Sequence, residues 1–222
     1  MIFALYTYTY FPILIICILL AALLYFKKDT PFFLKLFLPF LTATLMVSLI
    51  GYRMAQEGKN NHTLSNVYSV IEYVLYFVIL HQIIQNRRIK KIIFHCTWIY
   101  SLLAIINISL GQGIGVFHSF TYSIGAIIIV SICIYYFYQL NRKASWEKAF
   151  GKPKSWICCG LLFYYGGTLP LYGATNFLKD YPPVFLDIYA LIILILNCLL
   201  YALFNIAFVC FLRYKQEANN SG

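Results

Sequence analysis

The chain is predicted to be an all-α, polytopic membrane protein, with seven transmembrane helices in one bundle, its N-terminus outside and its C-terminus cytoplasmic. Three observations predict this. The 222 residues are 62% hydrophobic and only 11% charged, where a soluble domain is about half apolar and about a quarter charged. Apolar runs of roughly 20 residues recur along the whole length, each long enough to cross about 30 Å of hydrocarbon as a helix. The basic residues alternate in abundance from loop to loop.

The first run, Ile2 to Phe26, resembles a secretory signal only superficially. It is too long for a signal h-region, and its positive charges, Lys27 and Lys28, follow the run instead of preceding it. It is expected to remain as span one, near 3–26. Spans two to five follow near 33–54, 64–84, 92–110 and 119–140. After the longest polar stretch, "NRKASWEKAFGKPKS", come span six near 156–174 and span seven near 185–212. Pro182 and Pro183 suit the first turn of the last span. Residues 1–222 are thus expected to form a single domain, since the spans consume most of the chain.

Lys and Arg orient the spans. Lys27, Lys28 and Lys35 follow span one, Arg87 to Lys91 follow span three, Arg142 to Lys154 follow span five, and Arg213 and Lys215 follow span seven. Fourteen of the seventeen basic residues therefore fall on one side; only Arg53, Lys59 and Lys179 fall on the other. Cytoplasmic loops carry the excess of Lys and Arg, so the richer side is the inner one. The net charge of +10 is thereby assigned to topology, and no nucleic-acid partner is expected, because no basic surface interleaved with aromatic residues is present. The bilayer is the expected partner, together with a small-molecule ligand and a cytoplasmic or membrane protein at the basic inner surface.

Several chemistries lack their sequence signals. Span seven has no lysine for a retinal Schiff base, and no G-x-S-x-G elbow, P-loop or Rossmann glycine pattern occurs. No cofactor and no metal are expected. The seven cysteines lie inside or at the ends of apolar runs and read as small buried hydrophobes. His81 and His95 flank the inner hairpin between spans three and four, while His62 and His118 are expected to be solvated in the outer loops.

The candidate site begins with Glu72, in the stretch "SNVYSVIEYVLYF". It lies about eight residues into span three, or roughly 12 Å deep. An ionised carboxylate at that depth is expensive, so it must be paired or protonated and must face the bundle interior or a wet cavity. Ser65, Ser69, Glu72 and Tyr76 step by four, three and four residues along one face of the helix, with Tyr68 beside them. Other polar groups fall at the outer half of the bundle: Ser48 and Tyr52 in span two, Asn107 in span four, Tyr122 in span five, Tyr164, Tyr165 and Tyr172 in span six, and Asp187 and Tyr189 in span seven. Asn197, Tyr201 and Asn205 form a polar stripe at four-residue spacing. Tyr6, Tyr8, Tyr10, Tyr135, Tyr136 and Tyr138, at span ends, are assigned to the interfacial aromatic belt. Gly160 and Gly167, seven apart in span six, are expected to share a face that lets a neighbouring helix approach closely.

The segments "KPKSWICCGLLFYYGGTLP", "LNCLLYALFNIAFVCFLR" and "NVYSVIEYVLYF" resemble a group of uncharacterised bacterial seven-helix membrane proteins. The matching positions are Pro153, Trp156, Tyr165, Gly166, Glu72 and Asn197 or Asn205. The resemblance implies a multi-pass protein of the bacterial inner membrane and carries no mechanism with it.

The pattern leads to a receptor-like or sensor-like binding protein, with an outward polar-aromatic pocket around Glu72 for a small amphipathic or cationic ligand. Its candidate ligand-binding residues are Glu72, Ser69, Tyr76, Tyr68, Asn107, Tyr164, Tyr165, Asp187 and Asn197. The alternatives are an intramembrane enzyme that uses Glu72 as general acid or base on a lipid-like substrate, or a small carrier or accessory subunit.

Overall fold

A computed structural model describes residues 5–142, 150–174 and 182–220. Every regular element among them is helical. Seven long helices follow one another: α1 Tyr6–Tyr25, α2 Phe32–Gln56, α3 His62–Ile83, α4 Arg87–Gly111, α5 Ser119–Arg142, α6 Pro153–Ala174 and α7 Pro183–Asn220. Each matches an expected span. Lys143, Lys148 and Lys179, which entered the topology argument, lie outside the described residues.

Local chemistry sets the helix ends. Pro31, with φ −56° and ψ 143°, forces extended backbone immediately before α2. The α3–α4 hairpin turns on Ile84, also extended (φ −69°, ψ 137°), and on Asn86. The Asn86 side chain accepts from the backbone of Arg88 at 2.9 Å, capping α4, and its amide donates to the Tyr135 hydroxyl at 3.0 Å, tying the hairpin to α5. Pro183 opens α7, as its missing N–H and fixed φ favour.

Six of the helices are long and apolar enough to cross a membrane by themselves. The exception is α6, whose Tyr164, Tyr165, Gly166, Gly167, Thr168 and Pro170 dilute its apolar content. Its position explains the composition. α6 is wedged between α5 and α7, with its longest contacts to both, and a helix covered by protein need not be as apolar as one facing lipid. α7 packs in turn on α1, α1 on α2, α2 on α3, and α3 on α4 and α5, which closes a ring.

Close approach within the ring depends on missing side chains. A methyl group on Gly167 would lie 2.9 Å from Leu196, and one on Gly160 would lie 3.3 Å from Leu200. The α6 glycines therefore share the face that admits α7, as their spacing predicts. Gly125 does the same for rings: a Cβ there would stand 2.7 Å from Tyr73 and 2.8 Å from Tyr100. Around it, Tyr73, Tyr76, Phe77, Tyr100 and Tyr165 are fully buried and meet edge to face or tilted, with centroids 5.0–6.2 Å apart.

Successive helices alternate in direction. Tyr52 at the end of α2, His62 at the start of α3, Phe117 before α5, Tyr172 near the end of α6 and Tyr189 near the start of α7 surround one cavity. At the opposite end, the Lys154 ammonium sits 5.7 Å above the Phe33 ring, and the Tyr136 hydroxyl meets Ser155 at 3.0 Å.

Candidate functional site

The ring encloses a cavity of about 540 Å³ lined by every helix except α4. Its wall is built largely of tyrosine: Tyr6 and Tyr10 from α1, Tyr52 from α2, Tyr68 from α3 and Tyr122 from α5. Tyr164 and Tyr172 come from α6, and Tyr189 and Tyr201 from α7. Glu72 is the innermost α3 residue of the lining, ten residues or about 15 Å from His62 at the rim. Among the described residues it is the single acid in the wall, and the wall contains no Lys or Arg.

Glu72 is 9% exposed and lines the cavity. The hydroxyls of Tyr165 and Tyr76 lie beside its carboxyl. Neither hydroxyl completes a hydrogen bond of regular distance and angle with any group. One turn toward the rim, the Thr44 hydroxyl donates to Phe40 O at 2.9 Å, which leaves the Tyr68 hydroxyl to donate to Thr44 Oγ1. Across the cavity the Tyr10 and Ser48 hydroxyls pair at 2.9 Å. The rings of Tyr122 and Tyr172 lie 4.5 Å apart, and those of Tyr10 and Tyr201 lie 5.7 Å apart.

The placement of the sequence candidates is mixed. Glu72, Ser69, Tyr68, Tyr164 and Asn197 line the cavity, and Tyr76 and Tyr165 stand behind the carboxyl. Asn107 lies elsewhere: it sits in the π-helical end of α4, where its amide donates to Gln112 at 2.8 Å and to Thr121 at 3.2 Å. Asp187 is exposed on the first turns of α7 and is not in the wall. An acid there meets the positive end of the helix dipole without entering the bundle. The Asn stripe divides, because Asn205 donates to Ile13 O at 3.4 Å and joins α7 to α1.

Two further expectations are corrected. Tyr10 and Tyr136, assigned to the interfacial belt, are 5% and 7% exposed and turn inward, whereas Tyr8 and Tyr138 are exposed as belt residues are. His118, expected to be solvated, is fully buried. Asn66 on α3 accepts from the His118 backbone at 3.1 Å and donates to Val116 O at 2.8 Å, pulling the loop before α5 into the bundle. His118 Nε2 then meets Ser69 Oγ, and Nδ1 meets Thr121 Oγ1 at 2.7 Å.

The Ser69 hydroxyl also reaches Asn66 O at 3.0 Å and the Thr121 hydroxyl reaches His118 O at 3.3 Å, so each hydroxyl has a backbone carbonyl as well as an imidazole nitrogen within hydrogen-bond distance. The Ser69–His118 contact braces the loop before α5 against α3. Among the described residues no group of three His, Cys, Asp or Glu is placed to hold a metal ion.

No family model, curated protein or solved structure matches the chain.

Proposed function

We propose that the chain is a seven-helix protein of the cell membrane, its N-terminus outside and its C-terminus cytoplasmic, that binds a small cationic or amphipathic ligand as a receptor-like protein. The observation that carries this reading is the isolation of Glu72: one carboxyl deep in a tyrosine-walled cavity, with no basic side chain in the described wall. An intramembrane acid needs a proton or a cation beside it. Aromatic faces add attraction for a cation, strongest where water is excluded. A volume of about 540 Å³ suits a small organic ligand.

The orientation is supported by charge. The cavity end carries Arg53 and Lys59 among the described residues, and the opposite end carries Lys27, Lys28, Arg87 to Lys91, Arg142, Lys152 and Lys154. By the positive-inside rule the cavity opens outward, and the basic face is the natural contact for anionic lipid headgroups or a cytoplasmic partner. A bacterial inner membrane fits the sequence resemblance.

The test is calorimetric titration of the protein in lipid nanodiscs with tetramethylammonium, for the wild-type chain and for Glu72→Gln. Saturable binding that the substitution abolishes is expected. Equal affinity in the two chains, or no binding in either, rejects the cation site.

A further inference from the structure

A second depression lies on the outside of the ring, between α2 and α3. It has a volume of about 350 Å³ and walls that are almost wholly apolar. Pro39, Ala43 and Val47, one turn apart, form its α2 side, and their small side chains leave the space. Leu64, Val67 and Ile71 lead its α3 side, which continues to Leu75. That length of helix is about 16 Å at 1.5 Å per residue. Val67 and Ile71 are 52% and 57% exposed, so the groove opens to the side where lipid would lie.

The groove and the cavity share a wall one side chain thick. Val47, Leu64 and Tyr68 line both. Tyr68 stands between them, its ring parallel to that of Phe40 at 6.5 Å and its hydroxyl held by Thr44. It lies one turn above Glu72 on the same helix. A polar, acid-bearing chamber is thus divided from an apolar, lipid-facing slot by the Tyr68 ring together with Val47 and Leu64.

We propose that the ligand is a single-chain cationic amphiphile, whose head sits beside Glu72 and whose alkyl chain lies in the α2–α3 groove, having entered sideways from the bilayer past Tyr68. This rests on the reading of the cavity as a cation site. The chemistry of the two compartments matches the two ends of such a molecule. The chain never leaves a hydrocarbon environment, so lateral entry carries no penalty for exposing it to water. The head exchanges the membrane interface for a carboxylate and aromatic faces.

The test compares two probes, tetramethylammonium and dodecyltrimethylammonium, on the protein in nanodiscs of an uncharged galactolipid. Ala43→Phe and Val67→Trp fill the groove from opposite walls, at lipid-facing positions outside the bundle core. Partitioning of the long probe into the bilayer is the same for every variant, so differences between proteins report the groove. Both variants are expected to bind the dodecyl probe about tenfold more weakly or worse, and to bind tetramethylammonium as the wild type does. Unchanged dodecyl affinity in both variants, with tetramethylammonium still bound, overturns lateral seating and leaves the cation site standing, reached through the open mouth. Loss of both probes in both variants also overturns it, because head and tail sites are then not separable. Failure of the wild-type chain to bind either probe defeats the cation site itself.

Discussion

The Ser69 hydroxyl on α3 is hydrogen-bonded to Nε2 of His118, a residue with no exposed surface in the loop before α5. The imidazole is held between a serine and a threonine hydroxyl. Burial pushes the His118 pKa down from 6.5 to about 4. A neutral buried histidine is a stabilising feature only while it stays neutral.

The first prediction follows from the sign of that shift. The folded state holds its proton less tightly than the unfolded chain, so acid favours unfolding. The contribution is complete above about pH 6.5 and is lost as pH falls toward 4, amounting to about 3 kcal/mol in all. Thermal unfolding in nanodiscs between pH 7.5 and 4.5 should show a melting temperature that drops below pH 6.5. His118→Gln, which keeps polar contacts without titrating, should flatten that part of the profile. An unchanged slope in the variant assigns the acid sensitivity to other groups.

A matched pair of glycines gives the second prediction. Gly125→Ala places a methyl group against Tyr73 and Tyr100 at 2.7–2.8 Å, and both rings are buried too completely to swing aside. The cost should be about 1–3 kcal/mol. Gly166→Ala meets nothing within 4 Å and should be neutral or slightly stabilising. Equal melting temperatures for the two variants would falsify the close packing at Gly125.

Much of this arrangement was legible in the sequence, because a membrane leaves few options. Spans must be about 20 apolar residues long, and a buried acid must face inward, so the helices and the Ser65–Ser69–Glu72 face could be read directly. Tyr6 and Tyr10 escaped because tyrosines at span ends usually belong to the interface. Their four-residue spacing, against the offset of Tyr8, was the available signal. His118 escaped for a different reason: its burial depends on Asn66 reaching two backbone groups about fifty residues away, and no local pattern encodes that. α6 alone falls short of the hydropathy of a membrane span although it packs extensively on both α5 and α7, so hydropathy by itself understates it.

Two buried tyrosines in contact provide the third prediction. The Tyr73 hydroxyl donates to Tyr122 O at 2.9 Å, whereas the Tyr100 hydroxyl, its ring 5.0 Å away, has no hydrogen-bond partner. Tyr73→Phe should destabilise by about 1 kcal/mol. Tyr100→Phe removes an unsatisfied buried group and keeps the ring, so it should be neutral or stabilising by a similar amount. Chemical or thermal denaturation of the two variants checks the order. A Tyr100→Phe variant less stable than Tyr73→Phe contradicts it.

Orientation supplies the fourth prediction. Lys59, two-thirds exposed and paired with Glu57, lies in the α2–α3 loop at the cavity end. Lys91 is exposed in the first turns of α4, at the basic end. If the cavity faces outward, Lys59→Cys should react in intact cells with a maleimide that cannot cross the membrane. Lys91→Cys should react above the background of the native cysteines only after the cells are opened. The reverse pattern would turn the bundle over, placing the Glu72 cavity toward the cytoplasm and the basic face outside, against the positive-inside rule. The cation site would survive that result, since its geometry does not depend on which compartment it faces. Its ligand would then have to come from the cytoplasm or from the inner leaflet.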